Sequence, residues 1–189
     1  MTAKEFTVEE LLDQIAEILE GLKIPYAVTG GMAVAVWGNP RFTADIDIIV
    51  EMNSLKITPL AKALLAIDKD VYISEEAMGE ALERKGEFNF IHPQTGLKVD
   101  FWVKNDAYDR LKIERAIPKK IDKQKIFFIS PEDLILSKLF WYKEGESSKH
   151  LEDIKTVFNN PKLKLDLDYI KKWAGQQSTT EILEKLLNK

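Results

Sequence analysis

Asp45-Ile46-Asp47 opens an otherwise apolar run, DIDIIV, over residues 45–50. On a strand, residues i and i+2 project to the same face, so the two carboxylates stand side by side. Like charges that close repel and push carboxyl pKa values upward unless a cation lies between them. Hard oxygen ligands of this kind favour Mg²⁺ or Mn²⁺, and Mg²⁺ typically completes its shell with water and substrate phosphates. The pair is weak as a signal by itself, because many surface strands carry two acids. Asp100 lies within a second apolar stretch, VDFWV at 99–103. An acid there must be paired, exposed or metal-bound. If its strand neighbours DIDIIV, Asp100 is a third carboxylate of one site; otherwise it is a surface acid on an edge strand. Upstream, Thr29-Gly30-Gly31 falls between an expected strand and an expected helix. Glycine lets backbone approach a ligand closely, and free N–H groups at a helix N-terminus bind phosphate. The competing reading is a plain tight turn. Taken together, the glycines would cradle phosphate and the acids would hold a metal that bridges to it.

Further candidates surround this set. Arg41 and Thr43 lie in the loop entering the acid strand. Arg41 could reach a phosphate and Thr43 could brace the loop; alternatively Arg41 pairs with a nearby acid and Thr43 caps a turn. Lys138, among Leu134, Ile135, Leu139 and Phe140, is placed to neutralise phosphate charge or to snorkel along an apolar face. Asp153 is its possible partner or a further acid. His92 and His150 show no metal-ligand spacing and read as structural or exposed, so a zinc hydrolase is not expected. Trp37, Trp102, Trp141 and Trp173 read as core or core edge, with base stacking the lesser alternative. Neither a Walker A sequence nor GxGxxG is present, which removes the main support for P-loop and dinucleotide-binding readings.

The elements that must position these residues can be read from periodicity and punctuation. Thr7-Val-Glu-Glu10 has the form of a capping box, and Val8 to Leu22 then follow helical spacing up to Pro25. Tyr26–Thr29 reads as a strand, Met32–Trp37 as the start of a buried helix, and 38–44 as a loop. Thr58-Pro59 predicts a helix N-terminus, running to about Ile67. Ser74 predicts a second cap, with its helix ending at Gly86. Phe88–His92 and Leu97–Val103 flank Pro93-Gln-Thr-Gly96 as a hairpin. Another strand pair is expected between Ile113 and Ile129, joined near Asp122. Ser130-Pro131-Glu132-Asp133 is a strong helix start. Helices are expected at about 131–143, 148–158, 167–176 and 179–188. The chain therefore divides into a mixed α/β part at 1–129 and a helical part at 130–189.

Composition narrows the classes. With 189 residues, 45% hydrophobic and 31% charged, the chain can bury a core without staples. It has no cysteine, which excludes disulfides, thiolate metal sites and a cysteine nucleophile. The net charge of −4 argues against a general nucleic-acid coat. Charge is uneven: 104–125 carries eight Lys or Arg against four acids, either an attraction for phosphates or a solvated face. No membrane span is expected. The acidic, helical N-terminus predicts no signal peptide, and a cytoplasmic location is expected.

The pattern Gly30-Gly31, thirteen residues, Asp45-Ile46-Asp47 and a later strand Asp100 resembles the minimal nucleotidyltransferases of the DNA polymerase beta superfamily. GGMAVAVWGNPRFTADIDIIV is especially similar to a bacterial branch with abortive-infection and toxin–antitoxin members, which often carry Arg-x-Thr before the acids, here Arg41-Phe42-Thr43. The resemblance covers roughly 24–103 well and extends more loosely through SPEDLILSKLFWYKEGESSKHLEDI. It implies an α/β (α+β) nucleotidyltransferase-like mixed sheet flanked by helices, with a C-terminal helical segment. Gly30 and Gly31 would contact the triphosphate of an NTP. Asp45 and Asp47 would bind two Mg²⁺ or Mn²⁺ ions, and Asp100 would bind the second and accept the proton of an attacking hydroxyl. Most of the catalysis would be positioning and charge neutralisation. Many members have Gly-Ser where this chain has Gly30-Gly31, so one hydroxyl contact to phosphate is missing. The expected activity is transfer of a nucleoside monophosphate to a hydroxyl of a protein, an RNA or a small molecule. A catalytically silent nucleotide- or partner-binding protein, such as a toxin–antitoxin component, is the alternative. A metal-dependent phosphohydrolase ranks third, since such sites usually recruit histidines missing here.

Overall fold

The structure, a computed structural model, describes residues 7–43, 45–93, 95–103, 106–121 and 124–188. Helix α1 (Val8–Gly21) leads to strand β1 (Tyr26–Val28), helix α2 (Gly30–Trp37) and strand β2 (Asp45–Val50). Helices α3 (Ile57–Leu65) and α4 (Glu75–Arg84) precede β3 (Glu87–His92) and β4 (Leu97–Val103). Helix α5 (Ala107–Glu114), β5 (Ile117–Ile121) and β6 (Gln124–Phe128) follow. Helices α6 (Pro131–Gly145), α7 (Ser148–Phe158), α8 (Leu167–Gln176) and α9 (Thr180–Leu187) complete the chain. The strands form one mixed sheet in the order β3-β4-β2-β1-β6-β5. This is the expected mixed α/β architecture, with helices against the sheet and a helical C-terminal segment.

The pleat sorts side chains by parity. Ile46, Ile48 and Val50 of β2 share a face with Val99, Phe101 and Val103 of β4 and with Phe88 and Phe90 of β3, and all of these are buried. Phe88 stacks on Phe101 with ring centroids 4.8 Å apart. The opposite parity of β2 and β4 carries Asp45, Asp47, Lys98, Asp100 and Trp102. One face of β2 and β4 thus belongs to the core, and the other carries the acids, Lys98 and Trp102. β1 joins this arrangement antiparallel to β2 and parallel to β6. Helices α1, α3 and α4 pack on one another, with α1 against β6 and α4 against β3 and β4.

Local chemistry explains most boundaries. The capping box at Thr7 forms, with the Glu10 N–H donating to Thr7 Oγ1 at 3.1 Å and the Thr7 N–H to Glu10 Oε2 at 3.2 Å. Ser74 and Ser130 cap α4 and α6 as expected. Thr58 does not cap α3: Asn53 caps a 3₁₀ turn that feeds the helix at Ile57, and Thr58 Oγ1 donates to Glu75 Oε2 at 2.6 Å instead. The left-handed residue ending α4 is Lys85, with φ of 52°, rather than Gly86. Helix α5 was not expected from the sequence. Asp106 caps it, accepting from the Asp109 N–H at 2.8 Å. Its apolar periodicity is poor because Asp109, Arg110, Lys112 and Glu114 interrupt it. The turns expected at Pro93–Gly96 and near Asp122 include Gln94 and residues 122–123, which lie outside the described residues.

Two C-terminal helices are tied to α5 through one buried acid. Asp133, fully buried, accepts from Ser130 Oγ at 2.8 Å, Tyr169 Oη at 2.8 Å, Arg115 Nε at 3.2 Å and Tyr108 Oη at 3.4 Å. These donors come from α5, α8, the cap of α6 and the residue after α5, so one carboxylate gathers three helices. Tyr108 also stacks on Trp173 at 4.3 Å. Removing one partner of a buried charged pair costs about 3–5 kcal/mol. Asp133→Ala is therefore expected to lower Tm by roughly 10 °C, measured by circular dichroism, with Ser130→Ala giving a smaller loss.

Candidate functional site

Strand β2 pairs with β4 in parallel, and the register sets Asp47 opposite Asp100 and Asp45 opposite Lys98. The condition on which Asp100 became a third carboxylate is therefore met: the two strands are neighbours. Asp47 is largely enclosed. Burial pushes its carboxyl above the usual carboxylate range; a hydrogen bond from Trp102 Nε1 at 3.5 Å opposes that, repulsion from Asp100 and Asp45 adds to it, and Lys138 offsets part. Asp45 is exposed at the strand entrance. Asp100 is buried and engaged: Asn89 Nδ2 donates to its Oδ1, and Lys98 Nζ lies 2.8 Å from Oδ1 and 3.0 Å from Oδ2. Asp100 in turn raises the Lys98 ammonium above the usual lysine range, mainly through that hydrogen bond.

The glycines fit against these acids. The Thr29 N–H donates to the Asp47 carbonyl at 2.8 Å, so α2 begins directly beside Asp47. Gly30 sits at φ +59°, the left-handed region that other residues enter at a cost. A Cβ there would stand 1.8 Å from Asp47 Oδ2. Thr29, the N-cap of α2, makes no side-chain capping bond. Gly31 has a different constraint: its Cβ would lie 2.7 Å from Thr43 Oγ1 and 2.8 Å from Thr43 Cβ. Thr43 thus fills the space a serine at 31 would use, while its hydroxyl donates to the Asp45 carbonyl at 3.1 Å. A hydroxyl is present at this corner, supplied from the other side of the loop.

Arg41 and Lys138 meet at Asp153. Arg41 binds it bidentately, Nε to Oδ1 at 2.8 Å and Nη2 to Oδ2 at 2.9 Å, and Lys138 Nζ lies 2.9 Å from Oδ2. The loop before β2, α6 and α7 are locked together at the edge of the cleft. Burial alone would raise the Asp153 carboxyl; the hydrogen bonds from Arg41 and Lys138 outweigh it and hold the group below the usual range.

The cleft itself is lined by Thr29, Gly30, Asp47, Trp102, Lys138 and Trp141, among others. It also takes in His150, Asp109, Lys112 and Ser137, which the sequence did not bring to the site. His150 stands at the cleft rather than apart from it. Burial, then repulsion from Lys138, push its imidazole below the ordinary range, so it is neutral at pH 7. His92 instead shares a hydrogen bond with Thr95 Oγ1 at 2.9 Å, at the end of β3. Trp37 is a core residue whose Nε1 donates to the Ile129 carbonyl at 2.9 Å. Part of the basic stretch is paired within the fold: Lys112 with Asp109, Arg115 with Asp133, and Arg110 with Glu51 at the surface. Lys119 lies over the Trp37 ring at 4.4 Å.

The donor chemistry suits a hard divalent cation at Asp47 and Asp45, with Asp100 opposite. As the side chains stand, no three carboxylates or imidazoles among the described residues are close enough to enclose a metal ion. Asp100 is engaged by Lys98 and Asn89. Among the described residues, no helix is long and apolar enough to cross a membrane.

A mixed sheet with two adjacent acids on one central strand, a third across the pairing and a glycine-led helix beside them defines the class of enzymes that transfer nucleotidyl groups. Residues 8–188 match the family described as nucleotidyl transferase of unknown function (DUF2204), and the chain belongs to that family. A search of curated proteins returns no match. Among solved structures, the fold is similar to that of the antibiotic-resistance factor ANT(2'')-Ia, with a TM-score of 0.61 and 14% identity over 96% of this chain and 97% of that one. It is also similar to the lincosamide antibiotic adenylyltransferase LnuA, solved with lincomycin bound, with a TM-score of 0.53 and 17% identity over 82% of this chain and 99% of that one. An antigenic nucleotidyltransferase-like protein from Paracoccidioides brasiliensis gives a TM-score of 0.55 and 18% identity over 95% and 91%.

The Asp153 junction generates a pH test. A carboxyl depressed in the folded state stabilises it fully above the ordinary pKa of about 3.9, and that contribution fades as pH falls through the depressed value. Asp153→Asn is expected to melt below wild type at pH 7. The gap should narrow as the pH is lowered below about 4, measured as Tm against pH.

Proposed function

We propose that this protein transfers a nucleoside monophosphate from an NTP to an acceptor hydroxyl, releasing pyrophosphate, with Mg²⁺ or Mn²⁺ held by Asp45, Asp47 and Asp100. The observation that carries the reading is the close approach of Gly30 to Asp47. It sets the uncapped N-terminus of α2 against a half-buried carboxylate, so an anion receptor and a cation receptor share one corner. When bound, the metal would supply charge neutralisation at the phosphates. The chain's own groups do the rest. Gly30 and Gly31 present backbone N–H groups to the triphosphate. Lys138, held by Asp153, adds positive charge at the same end. Arg41 anchors the junction through Asp153, and Thr43 braces the loop through the Asp45 carbonyl. Asp100 accepts the proton of the attacking hydroxyl. The part before residue 130 supplies the acids, and the helical part from 130 supplies Lys138 and Asp153 as the second wall.

A small molecule is the acceptor the comparisons favour. ANT(2'')-Ia was solved in complex with adenylyl-2''-tobramycin, and LnuA with lincomycin. Both are covered almost end to end by this chain. A protein or RNA acceptor has less support, since part of the basic stretch that would favour RNA is paired within the fold. We place the enzyme in the cytoplasm, where NTP is abundant. A second reading, a silent nucleotide- or partner-binding protein such as a toxin–antitoxin component, draws on Lys98. Its ammonium already balances Asp100, so two acids can coexist without a metal.

Thermal unfolding with each NTP, with and without Mg²⁺, separates the first reading from a protein that binds no nucleotide. A ligand at about 100 times its Kd adds roughly 2.7 kcal/mol, or roughly 5–10 °C here. The expected result is a Mg²⁺-dependent shift that disappears in Asp47→Asn. A shift of equal size in Asp47→Asn contradicts the metal assignment, and no shift with any NTP at millimolar concentration contradicts nucleotide binding.

A further inference from the structure

His150 stands at the cleft with Gly30, Asp47 and Lys138, and has no part in the transfer proposed so far. Its surroundings define what it can do there. The charged groups that act on it are Lys138 from α6, Asp153 and Lys149 from α7, and Arg41 from the loop before β2. Arg41 and Lys138 are both drawn onto Asp153. Three cations therefore face one carboxylate, and this end of the cleft carries excess positive charge. Helix α7 adds to it. His150 lies in the first turn of that helix, and Ser147, the N-cap, makes no side-chain capping bond. The positive end of the helix dipole thus lies beside the imidazole. An anion is the ligand that such a corner favours.

The two ring nitrogens are not equivalent. Nδ1 is enclosed and has no hydrogen-bond partner among the described residues, so a ligand in the cleft can reach the imidazole only through Nε2. A proton on Nδ1 would be a buried N–H without an acceptor, which folded proteins rarely contain. The imidazolium needs acceptors at both nitrogens, and it would place a fourth cation beside Lys138. Burial and Lys138 both oppose that charge. The ring is left neutral with its proton on Nε2. That nitrogen then donates and has no lone pair with which to take a proton, so His150 is not the base of the reaction.

We propose that His150 is a phosphate ligand, its Nε2–H donating to an oxygen of the terminal phosphates of the NTP, the part that leaves as pyrophosphate. The proposal rests on the nucleotidyltransferase reading above and assigns a further contact to that site. The place along the row of phosphates follows from Lys138, which acts on both Asp47 and His150. Asp47 marks the reacting phosphate. A donor grouped with Lys138 and Lys149 on the helical wall meets the phosphates beyond it. Lys138 supplies charge there as a point cation, and His150 supplies one directed hydrogen bond.

The test measures Mg²⁺-dependent binding of each NTP, its nucleoside monophosphate, inorganic triphosphate and pyrophosphate by calorimetry at pH 7. The proteins are wild type, His150→Ala and His150→Gln, whose amide N–H can stand in for Nε2–H. Loss of a hydrogen bond to a charged group in His150→Ala is expected to weaken NTP, triphosphate and pyrophosphate by roughly 10- to 100-fold. The monophosphate is expected to bind unchanged, and His150→Gln to recover most of the loss. The chain has two histidines, so nitrogen-15 NMR with His150→Gln as the reference assigns the His150 ring. It is expected to show the proton on Nε2 before and after pyrophosphate is added. Wild-type affinity in His150→Ala, equal loss for the monophosphate, or no recovery in His150→Gln overturns the contact while the phosphate site stands. An imidazolium, or a proton on Nδ1, in the bound state also overturns it. If wild type binds neither inorganic triphosphate nor any NTP, the parent reading falls and the contact with it.

Discussion

Everything at the site follows from the electrostatic cost of Asp47. Its carboxylate is enclosed at the start of a central strand, with Asp100 across the parallel pairing and Asp45 two residues away on the same face. Negative charge in such a place is tolerated only where positive partners or oriented dipoles surround it. The fold provides both: Lys138 from the helical half, Lys98 on the next strand, and the N-terminus of α2. That helix can stand so close only because residue 30 has no side chain. The left-handed backbone at Gly30 and the 1.8 Å that would separate a Cβ from Asp47 Oδ2 express the same constraint.

The positive groups are themselves fixed by a second buried acid. Asp153 draws Arg41 and Lys138 to one point, which couples the loop before β2 to α6 and α7. Without it, two cations would repel across the mouth of the cleft, and the loop carrying Thr43 would lose its anchor. Asp133 does comparable work further back, holding α5, α6 and α8 in place beneath the cleft. Asp133 and Asp153, both buried with several donors each, are structural.

Much of this could be read in the residues. The alternation in DIDIIV and VDFWV placed Asp45, Asp47 and Asp100 on one face once their strands were neighbours, and Ser130-Pro131 and Thr7 fixed their helices through side-chain caps. Sequence reading went astray where tertiary contacts outweigh local signals. Thr58 looked like a cap, but Glu75 takes its hydroxyl. Helix α5 was missed because Asp109, Arg110, Lys112 and Glu114 interrupt its apolar period. The space beside Gly31 is filled by Thr43, twelve residues away, a contact that only the packing of the loop against α2 reveals. His150 and Trp141 carried no pattern that would assign them to a cleft.

The account stands or falls on whether Asp47 and its neighbours form a divalent-cation site that a nucleotide completes. Mn²⁺ offers a direct view, because its electron paramagnetic resonance signal broadens when it is bound. Titration of Mn²⁺ in the presence of a non-hydrolysable NTP analogue is predicted to show tight binding to the wild-type protein, in excess of the analogue's own affinity. That binding should be weakened by tenfold or more in Asp47→Asn. Equal binding by wild type and Asp47→Asn, or none beyond that of the free analogue, would contradict it.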